Sequence, residues 1–184
     1  TTYNLAAADD WNSDITDGNI ADLTNTITVS NVPLPAISSA TYNATSGVFV
    51  VSGTGFLKKA GATNDINVAK FTISGDSSSY TLTSPDVEIT SGTSFSLTLN
   101  ATDKSALTSR LNKNGTSSVG STTYNFAAAD DWNLGADLSL TIADLIGNTI
   151  TVSNIVAPSA PSIGTATAGN GEATISFSAP TNNG

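Results

Sequence analysis

"TTYNFAAADDWN", Thr122–Asn133, repeats with one residue changed the passage that opens the chain, "TTYNLAAADDWN", Thr1–Asn12. The likeness continues downstream, where "IADLTNTITVSNV" from Ile20 returns as "IADLIGNTITVSNI" from Ile142. The offset between the copies grows from 121 to 123 residues, so two single-residue gaps align them. Self-similarity at a long period indicates a protein built from repeated units.

The segment between the two copies occurs once, and it sets the predicted domain boundaries. We predict one complete repeat unit over residues 33–155, preceded by residues 1–32 as the C-terminal tail of an earlier unit. A local duplication inside a single domain is the alternative interpretation. Residues 156–184 begin with the proline-containing "VAPSAPS" and continue into "EATISFSAP", an alternating strand that ends at Pro180. We predict a linker and the first strands of a truncated module there.

The composition favours an all-β fold. Only 11% of the residues are charged, and the chain is rich in 28 Thr, 25 Ser and 18 Asn. Thr favours strands, whereas Ser, Asn and Gly favour turns. The hydrophobic fraction of 39% is too high for a disordered chain. Short strands separated by turn residues are typical of a sandwich, so we predict an Ig-like β-sandwich flanked by partial repeat modules.

Alternating apolar residues locate most of the strands of the complete unit. In "INVAKFTISG" the alternation predicts two faces, one with Ile66 and Val68 and the other with Phe71 and Ile73. The predicted strands cover residues 36–43, 48–56, 66–75, 79–84, 86–92, 94–100 and 148–154.

One short helix is predicted in "ATDKSALTSRLNKNG", residues 101–115. Thr102 or Asp103 is its expected N-cap, and Gly115 ends it. Trp11 and Trp132 are expected to anchor the core rather than to form an exposed binding platform.

Several motifs together resemble a known class of protein. The series "TDK", "LNKNGTSS", "TTYNFAAADDWN", "IADL" and "ITVSN" resembles tandem repeats of very large secreted bacterial surface proteins, adhesins among them, which mix Ig-like and fibronectin type III-like modules. "EATISFSAP" resembles an opening strand of a fibronectin type III module. The resemblance implies a structural or adhesive role at the bacterial cell surface, with neighbouring modules, copies of itself or matrix components as partners.

The residue types present exclude most catalytic chemistry. His and Cys are absent, so a Ser-His-Asp or Cys-His arrangement cannot form, and zinc and haem sites lose their usual ligands. The formal net charge of −9 disfavours nucleic acid as a partner. No apolar run is long enough to cross a membrane, so no direct membrane insertion is predicted. We therefore expect a protein that is not an enzyme.

Calcium is the cofactor that the acidic, amide-rich second copy could bind. Calcium prefers six to eight oxygen ligands from carboxylates, amides and carbonyls. The expected ligands are Asp130, Asp131, Asn133 and Asp137, with Asp65 or Asp103 as further candidates. The spacing does not match an EF-hand loop, because Ile15 in the first copy stands where glycine is required. The alternative interpretation is that Asp130 caps a turn and Asp131 is solvated.

Two functions from different classes follow from these features. The first is a non-enzymatic spacer in a tandem array, where each unit holds distance and end modules make the specific contacts. The second is a subunit of an extracellular filament, assembled by adding an unpaired strand such as "TITVSNV" to the sheet edge of a neighbour. A carbohydrate-binding module would need a planar strip of exposed aromatic residues, which two Trp and four Tyr do not provide.

Overall fold

The computed structural model describes residues 3–15, 17–76, 78–156 and 160–178, and the chain divides into two compact units between Pro33 and Leu34. The first unit holds an antiparallel pair of strands, β1 (Tyr3–Ala7) and β2 (Asp22–Ile27). The second unit holds the remaining strands, which are β3 (Ala36–Asn43), β4 (Val48–Thr54), β5 (Phe71–Gly75), β6 (Ser78–Thr81), β7 (Ile89–Ser91), β8 (Ser94–Thr98), β9 (Asn125–Ala128), β10 (Thr149–Ser153), β11 (Ser162–Ala168) and β12 (Ala173–Ser178). It also contains a 3₁₀ turn at Val68–Lys70 and one α-helix, α1 (Ala101–Thr108).

Eight of these strands form one mixed sheet. Their order is β6-β5-β9-β10-β3-β4-β8-β7, and every neighbouring pair is antiparallel except β3 with β10. β10 runs parallel to β3 over five residue pairs, from Thr149 beside Ser39 to Ser153 beside Asn43. It shares a single registered pair with β9, Thr149 beside Asn125. The sheet therefore has a natural corner between β9 and β10.

The sheet folds over at this corner into two facing layers. Phe71 of β5 stacks on Phe95 of β8 with ring centroids 5.7 Å apart, although four strands separate β5 from β8 in the sheet order. Phe49 of β4 meets Phe126 of β9 edge-on at 5.5 Å. All four rings are fully buried. One layer is thus β6-β5-β9, the other is β10-β3-β4-β8-β7, and the aromatic core lies between them.

The predicted all-β sandwich with one short helix is confirmed, and strand alternation explains its core. Phe49 and Val51 are buried while Val50 between them is 42% exposed, as expected for successive side chains on opposite faces of a strand.

The predicted faces of residues 66–75 are wrong. The 3₁₀ turn at Val68–Lys70 has three residues per turn rather than two, so it changes the phase of the alternation. As a result Ile66, Val68, Phe71 and Ile73 are all buried.

The helix lies where it was predicted, but its ends differ. Asn100 is the N-cap, since its side-chain oxygen accepts a hydrogen bond from the amide of Asp103, and neither Thr102 nor Asp103 takes that role. The helix ends at Thr108 rather than near Gly115. Leu107 on its inner face is fully buried and packs in the core. The helix therefore connects β8 to the closing part of the chain while covering the sandwich.

The C-terminal part forms a separate antiparallel pair, β11 with β12. The strand predicted in "EATISFSAP" is present as Ala173–Ser178, and a second strand, Ser162–Ala168, lies in what the sequence predicted to be linker and connecting residues. Residues 157–159 of the predicted linker, and Pro180 at the predicted strand end, lie outside the described residues. The repeat boundaries 1–32, 33–155 and 156–184 stay a prediction.

Candidate functional site

The repeated sequence corresponds to one structural element, which closes the sandwich. We call residues 122–155, with β9 and β10, the closing hairpin, and residues 34–121 the body on which it packs. The N-terminal hairpin is the matching residues 1–32, with β1 and β2. The body and the closing hairpin belong to one compact unit, and the N-terminal hairpin to the other.

Trp132 anchors the closing hairpin to the body. The side chain is fully buried, and its indole donates a hydrogen bond from Nε1 to the Ile142 carbonyl at 2.8 Å. Its ring meets Phe56 edge-on at a centroid distance of 5.3 Å and lies 6.0 Å from Phe71. Phe56 and Phe71 are both body residues, so the prediction that Trp132 is a core anchor is confirmed.

Polar side chains of the closing hairpin bind the backbone of the body. The Asn133 amide accepts from the Leu57 amide at 2.8 Å and donates to the Leu57 and Asp65 carbonyls at 2.7 and 3.0 Å. Asp144 accepts from the Ile37 amide at 2.8 Å through Oδ2.

Tyr124 adds a third polar contact to the body. Its hydroxyl accepts from the Lys113 amide at 3.0 Å and donates to the Lys113 carbonyl at 3.1 Å. Burial raises the pKa of Tyr124, which keeps the proton on the hydroxyl.

The N-terminal hairpin reproduces the internal hydrogen bonds of the closing hairpin. Trp11 donates from Nε1 to the Ile20 carbonyl at 3.0 Å, as Trp132 does to Ile142. The Ile20 amide donates to Asp9 Oδ1 at 2.9 Å, and the equivalent bond from Ile142 to Asp130 is 2.8 Å. The residue before each tryptophan has left-handed backbone, with φ of 62° at Asp10 and 61° at Asp131. The two copies therefore share one local fold.

The two copies differ in burial. Trp11 is 63% exposed, so the prediction that it anchors a core is wrong for this chain. Leu5 is 64% exposed, whereas its equivalent Phe126 is fully buried. Since the local hydrogen bonds are the same, the local sequence does not cause the difference. Within its own unit, the body covers the apolar face of the closing hairpin.

Two of the residues predicted to bind calcium, Asp130 and Asp137, accept hydrogen bonds within the closing hairpin. Asp130 Oδ1 accepts from the Asp131 amide at 3.1 Å and from the Ile142 amide at 2.8 Å. Asn133 is buried on the Leu57 backbone, and Asp137 is exposed and accepts from Ser139. Oxygens of three of the four residues thus already accept hydrogen bonds from the protein. Calcium binding stays a prediction.

The two further candidates are buried and engaged elsewhere. Burial alone would raise the pKa of Asp65, but hydrogen bonds from the Lys59 and Ile89 amides hold it below its ordinary value. Burial opposes ionisation of Asp103 too, yet donors on Ser84, Thr83 and Tyr80 keep its pKa low. Across the described ranges, no three His, Cys, Asp or Glu side chains gather closely enough to hold a metal ion.

The sequence did not predict that Asn133 and Asp144 bind the backbone of the body. A signal was present, because Asn12 and Asp22 repeat them in the first copy while the loop residues between them diverge. Among the helices that the structure describes, none is long and apolar enough to span a membrane. The chain matches no known protein family, no curated protein and no solved structure.

Proposed function

We propose that this chain is a non-enzymatic structural and adhesive repeat module of a secreted bacterial cell-surface protein, where it acts as a spacer. Each unit would be one β-sandwich that holds distance between neighbouring modules. The partners would be those neighbours or other surface or matrix components, and the β11–β12 pair would begin a fibronectin type III-like module. The location would be extracellular.

The observation that carries the proposal is the hairpin that occurs twice. Its two copies share sequence, hydrogen bonds and left-handed backbone positions, and one copy closes a sandwich. A unit that recurs along a chain and packs on its neighbours is the physical basis of an array. The absence of His and Cys from the sequence, and a net charge of −9 carried on a surface rich in hydroxyl groups, fit a solubilising spacer better than an enzyme.

The length of engineered arrays tests the spacer function. Chains carrying one, two and four copies of residues 34–155 ahead of residue 156 would be compared by small-angle X-ray scattering. A spacer is expected to lengthen by the same increment for each added unit, because stiff modules add end to end. A maximum dimension that stops growing with copy number would contradict the proposal, since the units would then collapse on one another.

A filament subunit is the second candidate, and the exposed N-terminal hairpin favours it. β2 is exposed along its whole length and belongs to a two-stranded sheet with β1. The backbone amide and carbonyl groups on its other edge therefore have no partner strand in that sheet. Such a strand can be added to the sheet edge of a neighbour. Electron micrographs of the wild-type chain should show long uniform fibres if this is the function. Short, monodisperse particles would exclude it, and Leu23→Asp, on β2, provides the matched control that should abolish any fibres.

A further inference from the structure

We propose that the apolar face of the N-terminal hairpin binds a second copy of the body, residues 34–121, whose own docking face is not filled by a closing hairpin. The proposal deepens the repeat-module function and rests on it. It identifies which surface docks, what it docks on, and in which order along the chain the two pieces follow one another.

Polar residues of the closing hairpin that bind the body recur in the N-terminal hairpin. Tyr124, Asn133 and Asp144, which bind the backbone of the body, correspond to Tyr3, Asn12 and Asp22. Of these, Tyr3 is 56% exposed and Asp22 is exposed. These polar residues have the same type and position in both hairpins, but only those of the closing hairpin bind a body. The repetition points to the same partner for both hairpins.

The apolar residues repeat in the same way. Ile150 and Val152 of β10 are buried, while their equivalents Ile27 and Val29 are 42% and 53% exposed. Tyr3 pairs with Ile27 in the register of β1 and β2, so Tyr3, Leu5 and Ile27 lie on one face of the hairpin. These exposed apolar residues form a surface of the kind that marks an interaction site. The body covers the equivalent face of the closing hairpin through an aromatic cluster, so its shape and chemistry already fit.

The N-terminal hairpin cannot take the same place on its own body. Ser30 corresponds to Ser153, which lies beside Asn43 at the far end of β3. The chain would then have to return from there to Ala36, which is seven residues and roughly 23 Å back along the strand. The six steps from Ser30 to Ala36 span about 21 Å at full extension. A parallel crossover needs about a dozen residues or more, so the body must be another copy.

In residues 34–155 the body comes first and the hairpin that packs on it follows. An extended chain tests whether the N-terminal hairpin packs on a body placed before it in the same order. A second copy of residues 34–121 is placed directly before Thr1, where the joint Ser-Thr-Thr-Tyr reproduces the natural one at Ser121–Tyr124. The chain has two tryptophans and the body has none, so Trp132→Phe leaves Trp11 as the only indole. Acrylamide quenching of its fluorescence then reports whether the face is covered.

We expect the quenching constant of Trp11 to fall in the extended chain to the value of Trp132, measured in the unextended chain carrying Trp11→Phe. Leu5→Asp in the extended chain should restore the quenching of the unextended one. Protection that survives Leu5→Asp would overturn the proposal. Protection that appears in the unextended chain as its concentration rises would also overturn it, because two N-terminal hairpins would then cover each other.

One difference between the copies calls for a second version of the extended chain. Gly135 lies so close to the body that an added Cβ would be 2.3 Å from the Leu57 carbonyl oxygen, and the loop of the N-terminal hairpin has a different sequence there. The second version therefore carries residues 134–141 in place of residues 13–19. If Trp11 stays accessible in both versions while the arrays still lengthen with copy number, this proposal fails and the spacer function stands.

Discussion

At the scale of single residues, the same side chain has two different environments in one molecule. Trp11 and Trp132 follow the same left-handed aspartate and donate the same indole hydrogen bond, but only Trp132 is buried. An aromatic side chain contributes to stability mainly through the area that it removes from water. The two tryptophans therefore form a matched pair in which burial is the main variable.

Trp132→Ala is expected to lower the free energy of unfolding of the sandwich by about 3–5 kcal/mol, because it removes a fully buried ring and leaves a cavity. Trp11→Ala should change it by less than about 0.5 kcal/mol, as is usual for exposed positions. Urea unfolding, followed by circular dichroism, measures both. A loss below about 1 kcal/mol at Trp132 would contradict the packing described for that residue.

Asp103 is a buried carboxylate whose oxygens are fully committed. It accepts from the Tyr80 hydroxyl at 3.0 Å, and from the amides and hydroxyls of Thr83 and Ser84 at 2.6 to 3.1 Å. Asp103→Asn replaces one acceptor oxygen by a donor that faces other donors. We expect a loss of about 3 kcal/mol or more, since hydrogen bonds to a charged group are the stronger ones. Asp137→Asn, at an exposed position, is the control and should have a smaller effect.

The Asp103 carboxylate makes the free energy of unfolding depend on pH in the acidic range. Its pKa is lower in the folded than in the unfolded chain, so its contribution is present above the unfolded value of about 3.9 and is lost as pH falls through the folded value. Wild-type stability should therefore drop more steeply below about pH 4 than that of Asp103→Asn. Asp65 acts in the same direction in both proteins. Parallel pH profiles from urea unfolding would show that Asp103 does not titrate in this way.

At the scale of elements, side chains distant in sequence decide where elements begin. Asn100 caps α1 because its oxygen reaches the Asp103 amide at 2.8 Å, while its amide nitrogen donates to Thr83 Oγ1 at 3.2 Å. Thr83 is held by the same Asp103 carboxylate. The cap therefore belongs to a network that joins the helix to the segment after β6.

Asn100→Ala is expected to cost about 1 kcal/mol, the usual value for losing an N-cap, and more if the bond to Thr83 contributes. Thr102→Ala, at an exposed position one residue inside the helix, should stay within about 0.5 kcal/mol. Thermal unfolding of the two variants compares them directly. Equal losses would show that Thr102 shares the capping role that the sequence first suggested for it.

At the scale of the whole molecule, the apolar face of the closing hairpin is buried in the sandwich, whereas the apolar residues of the N-terminal hairpin are exposed. The fully buried aromatic rings lie between the two sheet layers, while the chain contains no Cys that could form a disulfide. Packing and hydrogen bonds hold the unit together, with a bound ion as the one further contribution that the sequence predicts.

Melting in about 5 mM calcium and in excess EGTA tests that contribution. If Asp130, Asp131, Asn133 and Asp137 hold calcium, a hundredfold excess over Kd adds about 2.7 kcal/mol, which raises Tm by roughly 5–11 °C for a chain of this size. Asp131→Asn, which removes a carboxylate without breaking the loop bonds of Asp130, should reduce the shift. Identical melting temperatures would contradict the calcium prediction and assign the aspartates to loop closure.

The repeat, the all-β class and most strands could be predicted from the sequence alone, and the local fold of each hairpin depends on residues near one another in the sequence. The bonds from Asn4 to Leu23 and from Asn125 to Leu145 span 19 and 20 residues and form in both copies, so nearby residues are sufficient for them. Which copy is buried, where Val68–Lys70 shifts the alternation and what Asn133 binds could not be predicted in this way. The reason is that burial, and a bond such as Asn133 to Leu57 across 76 residues, depend on chain segments that local sequence does not specify.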